Sequence, residues 1–226
     1  IITPGLQNLA EMAAKTTTKI GKQVRSISTG DMFDNDSASA DYKWTRGPVH
    51  SQGYILKSSW KLSPSFPQQA LGFIGIKADK SVKVGTREDY ENMTNAERAE
   101  YTDLQGTGVI LIKDGRGYQA HSMANNWGMQ RDPRSAIGYN SSTHDLYILI
   151  GDGRNPGVSE GLTYSEMTDI FRWLGCDNAV NQDGGASSQM YHFNGSAYKL
   201  KNEPRSTGEG NPIVIRDLAV AWTISE

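Results

Sequence analysis

Asn181-Gln182-Asp183-Gly184-Gly185-Ala186-Ser187-Ser188 concentrates more chemistry-bearing groups than any other stretch of this chain. A carboxylate, Asp183, stands at a bend between a short apolar run (Cys176, Ala179, Val180) and a strand-like stretch, Gln189 to Phe193. Gly184 and Gly185 remove Cβ atoms where a backbone must turn sharply or a ligand must come close. An Asp-Gly pair by itself marks only a β-turn. Here Asn181, Ser187 and Ser188 flank it, more polar groups than a turn needs at one strand end, and function concentrates on loops held by rigid elements. Further charged groups sit in Gly-rich or strand-end settings: Asp31 in Gly30-Asp31-Met32-Phe33, Asp152 and Arg154 in Gly151-Asp152-Gly153-Arg154, Arg134, and Arg216. The plainer readings remain open: Asp152 pairs with Arg154, and Arg216 is a surface charge on an edge strand.

The elements that must position these groups follow from periodicity. Pro4, Leu6, Leu9, Met12 and Ala13 predict a first helix to about Thr16. Strands are predicted at 23–29, 53–57, 71–77 and 81–84, with a polar loop from Gly30 to Gly47 between the first two. Thr94 and Glu97 form a capping-box pattern for a short helix ending near Tyr101. The apolar runs 108–113 and 146–150 predict central strands buried on both faces. Thr163 to Leu174 is the best-marked helix, with a Thr163/Glu166 capping box and Gly175 as its stop. That box accounts for Glu166 as a cap. Asn194-Gly195 predicts a two-residue hairpin, and a last strand is predicted from Ile213 to Ile224. Strands outnumber helices without alternating with them, so the expected fold class is α+β, with a mixed or antiparallel sheet in one domain over 1–226.

The ordered set Arg134-Ser135-Ala136-Ile137-Gly138, Leu149 to Arg154, Gly161 to Met167, Leu174-Gly175-Cys176 and Asn181 to Ser187 resembles the phosphodiester glycosidase family. The similarity is dense from Arg131 to Met190, with a weaker echo in Gly30 to Phe33 and in Gly47-Pro48 before Tyr54 to Leu56. The chain departs from the family pattern at Thr29, where Asn is usual, at Gln182, where Leu is common, and at His50, near a frequent Gly. The resemblance implies hydrolysis of a sugar-1-phosphodiester of the N-acetylglucosamine type, with the sugar C1–O bond breaking and a phosphomonoester leaving. It makes Asp183, Asp152 and Asp31 the candidate catalytic carboxylates. Arg134, Arg154, Asn181, Gly184, Gly185, Ser187 and Arg216 become the candidate substrate-binding residues. A leaving phosphate with a second pKa near about 6 departs with little protonation. A cationic cradle and one carboxylate then do most of what two carboxylates do in ordinary glycoside hydrolysis.

Two other readings stay open. One is a non-catalytic glycan- or teichoic-acid-binding module of a phage tail or cell-surface protein. The other is a metal-dependent phosphodiesterase, which needs a His and carboxylate cluster that spacing alone does not assemble. His50, His121, His144 and His192 form no pair at helical metal-ligand spacing. No metal and no cofactor is therefore expected, although Asp34-Asn35-Asp36 leaves a structural calcium open. The expected partner is a phosphorylated glycan or sugar-1-phosphodiester. The net charge of -2 argues against binding nucleic acid by phosphate neutralisation. The apolar runs are too short to span a bilayer, and a single cysteine excludes an internal disulfide framework. The chain opens at Ile1 without an initiator Met, read as a trimmed product or fragment. The compartment is left open, an extracytoplasmic or virion-associated setting being favoured.

Overall fold

A computed structural model describes residues 5–118 and 128–226. The strands are β1 (Val24–Thr29), β2 (Val49–Ser51), β3 (Tyr54–Lys57), β4 (Gly72–Lys77), β5 (Val82–Thr86), β6 (Tyr101–Thr107) and β7 (Ile110–Lys113). They continue as β8 (Arg116–Gly117), β9 (Arg134–Asn140), β10 (Asp145–Gly151), β11 (Asn178–Asn181), β12 (Met190–Phe193), β13 (Tyr198–Leu200) and β14 (Ala221–Ser225). The helices described are α1 (Leu9–Ile20), α2 (Arg87–Glu91), α3 (Asn95–Ala99) and α4 (Tyr164–Trp173). Three sheets run β13-β12-β1-β14, β10-β9-β11-β7-β8 and β3-β2-β6-β4-β5, and their strand pairings are antiparallel. The fold is thus α+β in one domain.

The second sheet is the middle layer. Met167 and Phe171 of α4 bury against Leu111, Ala136 and Ala179 on one of its faces. Ile110, Ile137 and Val180 pack on the other against Ile74 and Val84 of the third sheet and Trp222 of the first. Gly138 is what lets α4 approach, because a Cβ there would lie 2.3 Å from the Phe171 ring. The first sheet carries α1, whose Leu9, Met12 and Ala13 bury against Val24, Ile27 and Tyr191. Thr163 caps α4 as its pattern predicts, the hydroxyl accepting from Glu166 N–H while the Glu166 carboxylate accepts from Thr163 N–H.

Several expectations need correction. Helix α1 starts at Leu9, with the Asn8 side chain capping Ala10 N–H at 2.9 Å, and runs past Thr16 to Ile20, where Gly21 caps it. Pro4 and His121 lie outside the described residues. The run 108–113 does become the buried strand β7, but Leu146 to Ile150 falls in β10, which is only half buried. Strand β10 is an edge strand: β9 is its one partner, and Leu146 stays 37% exposed. Strand β6 was hidden by its polar composition, although it lies inside the third sheet between β2 and β4. The predicted strand 213–224 shortens to β14, because residues 213–220 run irregularly. The β12–β13 loop has four residues, since Phe193 pairs with Tyr198 and the Asn194 side chain accepts from Ser196 and Ala197 N–H.

Candidate active site

The Asp183 segment joins two sheets instead of making a hairpin. Strand β11 ends in the second sheet at Asn181, and β12 begins in the first sheet at Met190. Between them lies one turn of 3₁₀ helix, Gly185–Ser187. The crossing is tied on both sides. Gln182 N–H donates to Ser135 O at 2.8 Å, Asp183 N–H to Gly30 O at 3.0 Å and Gly185 N–H to Pro133 O at 2.8 Å. Thr29 clips the far end, donating its hydroxyl to Ser187 O and accepting from Gln189 N–H at 2.9 Å. Gly185 has φ 61, a backbone state that glycine adopts without strain. A Cβ at Gly185 would also meet the Arg154 guanidinium at 3.1 Å.

Asp31 is buried and Asp183 is half-buried at the cavity wall, and desolvation is the first cause of their raised pKa values. Asp183 is pushed up to about 6, with Ser187, Arg216, Gly184 N–H and Arg46 pulling the other way. Asp31 is pushed up to about 7 against the pull of Gly47 N–H, Lys57 and Met32 N–H, and the Asp183 charge adds to the rise. The Asp31 oxygens accept from Met32 N–H at 2.8 Å and Gly47 N–H at 2.7 Å. Its niche exists because Gly47 and Gly106 face each other: a Cβ on Gly106 would sit 2.5 Å from Gly47 Cα and 2.7 Å from Asp31 Oδ2. Carboxylates in low dielectric hold their protons more tightly, and a second carboxylate nearby strengthens that tendency.

Asp183, Asn181, Gly184, Gly185, Arg134, Arg154 and Arg216 line one cavity of about 260 Å³, together with Asp132, Tyr164, Met32 and Gln68. The three arginines are committed differently. Arg134 donates to Leu162 O and Gln130 O, and its guanidinium lies 4.5 Å from the Tyr164 ring centroid. Arg154 makes a two-pronged pair with Asp132 at 2.7 and 2.9 Å and donates to Arg205 O at 3.0 Å. Arg216 carries no carboxylate partner among the described ion pairs, and its guanidinium makes a 3.4 Å contact to Ser187 Oγ. Ser187 is buried behind Asp183.

Asp152 does not join this group. Its carboxylate accepts from Asn202 Nδ2 and Glu203 N–H, both at 2.9 Å, and it lines an adjoining cleft. The structure also replaces the suggested Asp152–Arg154 pair by Arg154–Asp132, because Arg154 has φ 57 and its side chain turns to the Asp132 side. Asp31 lies beside Asp183 without lining the cavity. His50 packs against Tyr90 and Tyr101, with Nε2 3.0 Å from the Tyr90 hydroxyl. Burial lowers the His50 pKa, so it is a neutral core residue. Sequence reasoning missed Asp132, Tyr164, Gln68 and Arg46. Asp132 and Arg46 stand beside motif residues and could have been found there. Gln68 lies in the patternless Pro67-Gln68-Gln69 and gave no signal. Among the described residues no group of three or more His, Cys, Asp and Glu could hold a metal ion, and no helix is long and apolar enough to cross a membrane.

A family profile described as phosphodiester glycosidase matches residues 22–224, a span that holds every group just described. The chain belongs to the phosphodiester glycosidase family. A sequence search of curated proteins finds no match. Among solved structures, it is similar to the zebrafish N-acetylglucosamine-1-phosphodiester alpha-N-acetylglucosaminidase catalytic domain auto-inhibited by pro-peptide, at 19% identity and TM-score 0.70. That match covers 97% of this chain and 67% of the other. A hypothetical protein from Synechocystis matches at 14% identity and TM-score 0.54, over 97% of this chain and 54% of the other. A putative exported protein from Burkholderia pseudomallei K96243 matches at 11% identity and TM-score 0.55, over 99% and 68%. At these identities the likeness carries the shared fold.

Proposed function

We propose that this phosphodiester glycosidase family member hydrolyses the glycosidic bond of a sugar-1-phosphodiester of the N-acetylglucosamine type. The observation that carries the reading is the convergence of one half-buried carboxylate, Asp183, with three arginines on a single cavity. Arg154 and Arg216 hold the anionic phosphate, while Arg134, stacked on Tyr164 and tied to backbone carbonyls, shapes the wall. With a pKa of about 6, Asp183 is mostly ionised at neutral pH. It faces the anomeric carbon, stabilises the oxocarbenium-like centre and takes a proton from the attacking water. The water oxygen forms the new bond to C1, and the electron pair of the broken C1–O bond leaves on the phosphate, so the products are the free sugar and a phosphomonoester. Asp31 acts through Asp183: it anchors Met32 and Gly47 and, with a pKa of about 7, carries only part of a negative charge behind the reacting carboxylate at neutral pH. Thr29 and His50, the departures that kept a non-catalytic glycan-binding module in view, are engaged in backbone and core contacts outside the cavity.

Hydrolysis in oxygen-18 water tests the reading, since label in the sugar means C1–O cleavage and label in the phosphate means P–O cleavage. Label in the phosphate, or no turnover over a panel of sugar-1-phosphodiesters, overturns it.

A further inference from the structure

A phosphodiester has two substituents, and the cavity around Asp183, of about 260 Å³, adjoins a second cleft. The order of the lining residues along the chain suggests which substituent goes where. Asn181 and Met32 meet around Gly108, where a Cβ would lie 3.1 Å from Asn181 Nδ2 and 2.5 Å from Met32 Cε. The Arg154 guanidinium meets the chain at Gly185. Asp183 stands between those positions along the crossing segment. Arg134 belongs to the Asn181 side through Tyr164 and is tied to Leu162 O and Gln130 O, while Arg154 stands at the opposite end. A sugar lies toward Asn181 and Met32, and the phosphate toward Arg154.

The cationic end is also a partition. Arg154 lines the Asp183 cavity, while its neighbours Gly153 and Asn155 line the adjoining cleft of about 400 Å³. The same division occurs on the facing segment: Ser206 and Thr207 line the cavity, and Arg205 lines the cleft. The hydrogen bond from Arg154 Nη1 to Arg205 O at 3.0 Å joins the two segments. A phosphate held at Arg154 therefore sits at the boundary, and its second substituent has the adjoining cleft beside it. That cleft presents Asn155, Ser159, Lys201, Asn202 and Glu203, with Leu200 and Val158 as its apolar members. Amides, hydroxyls and charges of both signs fit a hydroxyl-bearing group, and among the described residues lining the cleft none carries an aromatic ring on which a nucleobase could stack.

We infer that the cleft across the Arg154–Arg205 partition is the subsite for the alcohol portion of the leaving phosphomonoester, and that it takes a polyhydroxylated group. This subsite rests on the proposed reaction, and it also makes a binding claim of its own. The experiment compares the wild type with an Asn155→Ala/Lys201→Ala variant, residues outside the Asp183 cavity. Two diesters carry the same sugar, one esterified to ribitol and the other to methanol. The expected result is a KM for the ribitol diester raised about tenfold in the variant, as the loss of about 1.4 kcal/mol of binding would give, with the methyl diester within about twofold. Equal effects on both diesters, or on neither, overturn the subsite. Calorimetric titration with ribitol 5-phosphate and methyl phosphate reads the same contrast without turnover. If no diester is hydrolysed yet the wild type prefers ribitol 5-phosphate and the variant does not, the reaction fails and the subsite stands. No preference in the wild type overturns the subsite itself.

Discussion

Under the proposed reaction Asp183 and Arg154 should fail in different ways when removed, because they act at different points of it. Asp183→Asn keeps the size of the side chain and its contact with Gly184 N–H but deletes the charge. An interaction made mainly in the transition state is lost, so turnover is expected to fall about a hundredfold or more with little change in KM. The wild-type rate should rise with pH through about 6 as Asp183 ionises, and the variant should lose that limb. A folded Asp183→Asn protein with near-normal turnover would remove Asp183 from the mechanism. Arg154→Ala has a second consequence visible only in the structure, since it leaves the Asp132 carboxylate without this partner in the cavity proposed to take an anion. The single variant should therefore bind the diester worse than Arg154→Ala/Asp132→Asn, by about threefold to tenfold. A double variant that binds the diester no better than Arg154→Ala would show that Asp132 does not face the phosphate.

At the scale of elements, the crossing between β11 and β12 shows what was legible and what was not. Its Asp-Gly-Gly bend, the α4 capping box and the buried strand β7 were written in local residue types, because capping, turning and two-faced burial each demand particular side chains. The destination of the bend was not: a turn between strands of different sheets has the same local chemistry as a hairpin. Polar β6 and half-exposed β10 were misread for a related reason, as sheet position is set by partners distant in sequence. Gln182 offers a test at this scale. Its side-chain amide is buried with no described hydrogen-bond partner on either atom, in a residue only 1% exposed. A buried amide without partners costs stability, and an apolar residue of similar volume avoids that cost. Gln182→Leu should raise Tm by about 2–4 °C. A lowered Tm would mean that the amide is satisfied by groups such as ordered water.

The whole molecule sets a buried carboxylate, Asp31, behind a half-buried one, Asp183, where two sheets and the loop after β1 come together, and this juxtaposition was the least legible part of the site. The sequence marked Asp31 and Asp183 separately, about 150 residues apart, but only the backbone bond from Asp183 N–H to Gly30 O makes them neighbours. Their proximity has a consequence for stability. The folded pKa of Asp183, about 6, lies above the ordinary carboxylate value of 3.8, so between those values the native state holds more protons than the unfolded chain. Under the linkage relation, the wild type then loses stability as pH rises through that window, and Asp31, at about 7, extends the loss upward. Carboxylates held down by partners, such as Asp89 and Glu166, push the other way in both proteins and cancel in a difference. Asp183→Asn removes the Asp183 contribution and relieves Asp31 of a neighbouring charge. Its Tm relative to wild type should be nearly unchanged at pH 4, where both carboxyls are neutral, and should rise to a positive plateau by pH 8. Calorimetry across that range decides the matter: a difference that stays flat or falls with pH would mean that Asp183 is not held as a charge against its burial, and the electrostatic basis of its catalytic role would go with it.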